Sequence, residues 1–302
     1  MENIIEIEHL SYGYSKNKKV LEDISLNVPK GSIYGFLGAN GAGKSTTMRL
    51  LMGLHESNTE DNIKVFGQSV SKIYPEGFRR IGSLIDYPAF YSHLSGYDNL
   101  KVVCIIRDLP LSKIDETLEL VGLSEAKNIK MKKYSLGMKQ RLAIGLALIS
   151  DPELLILDEP VNGLDPQGMV EVRELLVKLN KEKGITIFIS SHLLQEIDKM
   201  VTHLGIIAEG KIKFEGSREE LNQLYSYQRT KFVMENAKDF QSFVADEKIE
   251  LKDESTLLID TNSQDKIAEI NTKLVENGAK IYQISSEGGL EDWFMELTKQ
   301  KN

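Results

Sequence analysis

Cysteine is nearly missing from this 302-residue sequence: Cys104 stands alone, so no disulfide can close within the chain. A reducing, cytosolic setting fits that scarcity. Long apolar runs are missing too, since a bilayer-spanning helix needs about eighteen such residues. The best stretch, residues 142–149, is far shorter and follows Lys139, Gln140 and Arg141. The amino end, MENIIEIEHL, lacks the basic region and apolar segment of a secretory signal. Any service at a membrane is therefore expected to run through a partner. Basic charge is in deficit, with a net charge of −8, which argues against nucleic acid as the main partner. Internal repeats and low-complexity linkers are absent. What remains, 41% apolar and 27% charged residues, is enough for one large domain or two modest ones with a proper core.

The chain does have one stretch around which the rest can be arranged, GANGAGKST at residues 38–46. It follows Ile33-Tyr34-Gly35-Phe36-Leu37, which reads as a short buried strand, and precedes a helical segment that includes Met48. A phosphate loop needs that context. Gly38, Gly41 and Gly43 carry no Cβ, so the backbone is free to take positive φ and bring the amides of Gly38, Ala39, Asn40, Gly41, Ala42 and Gly43 toward phosphate oxygens. Lys44 would reach the β- and γ-phosphates as a point charge, the Ser45 hydroxyl would ligate Mg²⁺, and Thr46 completes the motif. A glycine-rich turn with a surface lysine is the plainer alternative, and the bracketing strand and helix weigh against it.

Apolar patterning predicts strands at residues 3–10 and 20–28 before the loop, then short strands at 62–66 and 81–85. A mostly helical insert follows over about 87–134, with Ser95 as a cap and Gly122 as a stop. A helix at 136–149, an apolar strand at 154–157, a helix at 167–183 and a strand at 186–189 come next. Strand, helix, strand implies a parallel sheet. A helix near 192–200 and a hairpin across Glu209-Gly210 close a domain expected to span residues 1–224. Residues 225–302 read as a small accessory α+β domain of order βαββαβ, with a last helix carrying Leu290, Trp293, Phe294 and Leu297.

The second chemical motif is Leu154-Leu155-Ile156-Leu157-Asp158-Glu159. Hydrolysis of a phosphoanhydride needs a carboxylate to orient metal and a group to position and deprotonate water. Asp158 suits the metal and Glu159 the water. With this motif behind a phosphate loop, residues 4–221 resemble the ATP-binding subunit of an ATP-binding cassette (ABC) transporter. That resemblance implies an α/β P-loop NTPase fold with a β-subdomain and a helical subdomain, ATP and Mg²⁺ as ligands, and ATP hydrolysis. Tyr134-Ser135-Leu136-Gly137-Met138-Lys139-Gln140-Arg141 resembles the family signature, whose serine and glycine contact the γ-phosphate held by an opposing subunit. From the residues alone, Ser135 is also a suitable cap for the helix that follows, and the two uses are compatible. Asn162-Gly163-Leu164-Asp165-Pro166 matches the loop that couples two sites across the dimer, with Asp165 its key position, and His192 matches the γ-phosphate histidine. Tyr14, with Tyr12 next, is the aromatic expected to stack on adenine.

Two departures narrow the resemblance. Asp86 stands where most members carry glutamine, and Leu136, Gly137 and Met138 replace the usual paired glycines and glutamine. Both resemble bacitracin-resistance and lantibiotic-immunity subunits, which implies export of an antimicrobial or amphipathic peptide, or a drug, through a separate membrane subunit. Asp86 then becomes a further metal candidate, and Tyr87-Pro88-Ala89-Phe90-Tyr91 with Leu94 a candidate patch for the membrane subunit. The resemblance also implies a second ATP-binding subunit, identical or related, and a place on the cytoplasmic face of the membrane. A soluble cassette ATPase of DNA repair would carry a long heptad-rich insertion, and a translation-associated one two phosphate loops. This chain has neither.

Overall fold

The computed structural model describes residues 2–15, 18–55, 60–86, 90–224, 229–261, 263–287 and 290–298. The chain divides into two compact units, Met1–Arg218 and Glu219–Asn302. The first begins with β1 (Asn3–Ser15), β2 (Lys18–Pro29), β3 (Ile33–Leu37), α1 (Lys44–Leu51), β4 (Ile63–Val65), β5 (Gln68–Ser69), α2 (Glu76–Arg79) and β6 (Ile81–Leu84). Helices α3 (Gly96–Ile106), α4 (Ser112–Leu120) and α5 (Leu136–Leu148) come next. Then β7 (Leu154–Asp158), α6 (Pro166–Lys183), β8 (Thr186–Ser191), α7 (Leu194–Asp198), β9 (His203–Ala208) and β10 (Lys211–Ser217) complete it.

Two sheets result. The antiparallel one has the order β2-β1-β4-β5, and the larger has the order β10-β9-β3-β8-β7-β6. All pairs from β9 to β6 are parallel, and β10 adds an antiparallel edge. Every residue of β3 and β8 is buried, as expected of central parallel strands covered on both faces. Tyr34 and Phe36 of β3 each stack on Phe188 of β8, with ring centroids 5.5 Å apart. Full burial of aromatic and aliphatic side chains of this kind contributes about 1.5–3 kcal/mol each. Helix α5 lies tight on the β6 edge: a Cβ at Gly82 would fall 2.2 Å from the Ala147 carbonyl oxygen. A parallel sheet was legible from the strand–helix–strand order; the pairing of β9 to β3 was not, because it joins segments far apart in sequence.

The helix expected at 192–200 is shorter, Leu194–Asp198. The Leu193 N–H donates to the Ser191 hydroxyl, a local turn that competes with helix at this point. His192 therefore sits on the strand-to-helix loop.

After α8 (Arg218–Leu224), the second unit runs β11 (Arg229–Met234), a 3₁₀ stretch Ala237–Val244, β12 (Ile249–Asp253), β13 (Thr256–Asp260), α9 (Gln264–Glu276), β14 (Ile281–Glu287) and α10 (Leu290–Thr298). Its antiparallel sheet has the order β12-β13-β11-β14, the split βαβ arrangement, with a 3₁₀ stretch in place of the first helix. Phe232, Met234, Leu257, Ile259, Ile270 and Leu274 form a core of its own.

Candidate nucleotide site

The turn between β3 and α1 exposes Ala39, Asn40 and Gly41 and buries Ala42, Gly43 and Lys44. Gly41 and Gly43 take φ of 83° and 115°, left-handed values that a Cβ would strain. Gly38 does not. It is needed for a different reason: a Cβ there would meet the Ile207 carbonyl oxygen at 2.6 Å. The loop thus rests on β9 and on the turn after it, where the Gly210 N–H donates to the Ala42 carbonyl at 3.3 Å. Gly43 caps α1 with no side-chain partner, so the first amides of the helix point outward as an anion cradle.

At the carboxyl ends of the neighbouring strands the acidic residues gather, where ligands bind in open α/β sheets. Lys44, 6% exposed, donates to the Gly38 carbonyl at 2.7 Å and pairs with Glu159 Oε1 at 3.2 Å. Glu159 has φ of 49°, which turns its carboxylate back toward β8. There, His192 Nδ1 lies 2.7 Å from Glu159 Oε2. With that N–H given to the carboxylate, Nε2 can donate to a phosphate oxygen only as the imidazolium. The Ser190 hydroxyl ties the two acids together, donating to Asp158 and accepting from the Glu159 N–H at 2.9 Å. Lys44, Asp158, Glu159 and His192 thus converge from β3–α1, β7 and β8.

The other expected residues fall into two groups. Ser135 caps α5, its hydroxyl accepting from the Met138 N–H at 3.2 Å, and Asp165 caps α6 by accepting from the Gly168 N–H at 3.1 Å. These two helix starts adjoin: a Cβ on Gly137 would lie 3.9 Å from Gly168 Cα, and Leu136, 49% exposed, reaches over Gly163. Polar contacts of Ser135 run to Met138 and Lys139, on its own helix, and not to the Lys44 cluster. Tyr14 is half exposed, with its hydroxyl 3.1 Å from Thr46 Oγ1. Asp86, with φ of 65°, accepts two hydrogen bonds from Arg49, at 2.8 and 2.9 Å.

Sequence reasoning missed Ser190, Arg49 and His55. Ser190 carried a signal in Ser190-Ser191-His192, directly before the histidine; Arg49 and His55 carried none, because their partners come from other strands. Among the described residues no cluster of three His, Cys, Asp or Glu could cage a metal. The oxygens of Ser45 and Asp158, hard ligands without a full protein cage, suit a small cation that takes its remaining ligands from phosphate and water.

A family profile for "ABC transporter" matches residues 21–162. The bacitracin transport ATP-binding protein BcrA of Bacillus licheniformis is 41% identical over 98% of both chains. The lantibiotic transport ATP-binding protein SrtF of Streptococcus pyogenes is 43% identical over 74% of this chain and 97% of its own. Among solved structures, cbiO1 from Clostridium perfringens, part of the ABC transporter complex cbiONQ, covers 74% of this chain and 92% of its own, with 29% identity and a TM-score of 0.66. Convergence of lysine, carboxylates and histidine behind a phosphate loop, on a fold shared with cbiO1 and a sequence shared with BcrA, makes the chain a member of the ABC transporter ATP-binding family.

Proposed function

We propose that this ATPase powers export of, or immunity to, an antimicrobial or amphipathic peptide or a drug through a separate membrane subunit. As a family member the chain binds and hydrolyses ATP. The peptide reading is supported by likeness to BcrA and SrtF, whose names give bacitracin and lantibiotic as their cargo. No helix among the described residues is long and apolar enough to cross a membrane; the family's division of labour supports a separate membrane subunit as the path for cargo. The subunit would then work on the cytoplasmic face of the membrane, where its ATP is supplied.

The observation that carries the chemistry is the Lys44–Glu159–His192 cluster. A γ-phosphate gives Lys44 and His192 an anionic partner, which releases Glu159 to orient and deprotonate the attacking water. Residues 38–46 cradle the phosphates, and Tyr14 stacks on adenine. Ser45 and Asp158 would hold Mg²⁺, which would offset phosphate charge, and Asp86, paired with Arg49, would be a further carboxylate for it. Ser135 and Gly137, at their own helix start beside Asp165, serve the nucleotide of a second ATP-binding subunit. ATP then favours the closed pair by its differential affinity for it.

A cleft of about 510 Å³ between the end of α1, α2 and the end of α3 offers the membrane subunit a seat. Leu50, Met52, Val70 and Phe78 line it, and Leu54, Tyr74, Ile105 and Ile106 are exposed. Of the patch expected from sequence, Tyr87, Pro88 and Ala89 lie outside the described residues, Tyr91 is exposed and Leu94 is half-buried. Co-purification with the membrane subunit, followed by ATPase assays with added peptides, tests the reading. Stimulation by an amphipathic peptide is expected; full, peptide-independent turnover by a chain that captures no membrane subunit would defeat it.

A further inference from the structure

The Tyr14 side chain stands at a junction beside the phosphate loop, against its last residue, Thr46. Its hydroxyl reaches Thr46 Oγ1 at 3.1 Å and lies 3.5 Å from His55 Nε2. The Tyr12 and His55 rings are near-parallel at 5.8 Å, and Tyr14 is edge-on to both at 5.4 Å. Thr46 and Arg49 are three apart on α1 and share one face, so the hydroxyl that meets Thr46 lies on the side of α1 that carries Arg49. The Arg49 guanidinium is the one clamped by both oxygens of Asp86. Asp86 first, and Tyr14 after it, hold Arg49 above the ordinary arginine range against the cost of burial.

We propose that Arg49 is a positioning residue joining Tyr14 to Asp86, so that seating a purine on Tyr14 and holding Asp86 at the end of β6 become one coupled event. This rests on Tyr14 facing the nucleobase, as proposed above. Asp86 leaves the end of β6, the strand whose Ile81 and Ser83 border the apolar cleft, and His55 lines that cleft while touching Tyr12 and Tyr14. Base and cleft occupant therefore act on one connected set of side chains. By reciprocity, an occupant that fixes this set strengthens base binding by the same factor as the base strengthens the occupant's.

Binding to the full chain tests this, with ADP in excess EDTA, so that no divalent metal enters the readout, and with inorganic tripolyphosphate as a probe lacking a base. Asp86→Asn should weaken ADP about three- to tenfold, the scale of a typical net hydrogen bond felt through an intermediary, and leave tripolyphosphate unchanged. Tyr14→Phe should cost ADP a similar factor, and the double variant no more than either alone, because both cut one chain of contacts. An unchanged ADP affinity in Asp86→Asn, factors that multiply in the double variant, or an equal loss of tripolyphosphate would overturn the coupling. Tyr14→Ala separates the underlying reading. Undiminished ADP affinity in that variant removes the base from Tyr14 and the coupling with it, whereas a loss there alongside multiplying factors removes the coupling alone.

Discussion

Glu159 is held by the Lys44 ammonium, by the His192 ring and by a backbone that few non-glycine residues adopt. Glutamine fits both the space and the backbone but cannot take a proton from water. Glu159→Gln should therefore keep ATP affinity, lower turnover by roughly 10²–10⁴ and accumulate an ATP-bound pair in size-exclusion chromatography; normal steady-state hydrolysis would take the base assignment away. Gly43 offers a purely conformational test. Alanine there would carry φ of 115° and set its Cβ 2.5 Å from Leu21 Cδ2, so Gly43→Ala should lower the melting temperature by several degrees and abolish nucleotide-induced stabilisation. At this scale the motifs picked out Lys44 and Asp158, and the family resemblance picked out His192, three residues that the structure brings into one cluster. The sequence was silent on Arg49, which α1 carries like any surface arginine until β6 brings Asp86 to it.

Strands β6 and β7 are pinned at their amino ends by Arg80 and Glu153, a paired contact of 2.6 and 3.0 Å. The hydrogen-bonded guanidinium holds the Glu153 carboxyl below its ordinary value. The stabilisation is present above the unfolded carboxylate range and drains away as pH falls through the lowered folded value. Both side chains are nearly half exposed, so solvent screening keeps the effect small. Thermal melts should show Glu153→Gln lying beneath the parent at pH 7 and converging on it as pH falls through and below the lowered value. Helix starts were legible where a cap announces them, as Ser95 and Ser135 do; Asp165, read only as the coupling position, proves to cap α6. The short α7 was not legible, since its start depends on a hydroxyl–amide bond from Ser191 that competes locally with helix.

Over the whole chain, every residue assigned to phosphate chemistry belongs to the first unit, and SrtF matches only 74% of this chain while matching 97% of its own length. Residues 1–224 alone should therefore fold and bind ADP within about threefold of the full chain by calorimetry, a difference under 1 kcal/mol. A larger loss would give the second unit a part in the site. The two-unit reading came from a change in texture near residue 225, and the split βαβ order of the second unit from its alternation of short strands and helices. What alternation cannot supply is the β9–β10 hairpin lying behind the phosphate loop, with Ile207 against Gly38 and the Gly210 N–H on Ala42. The nine-residue motif is consequently not a portable cassette: transplanted onto a foreign strand and helix, GANGAGKST would bring its amides and its lysine but leave behind the wall that bends them into a cup.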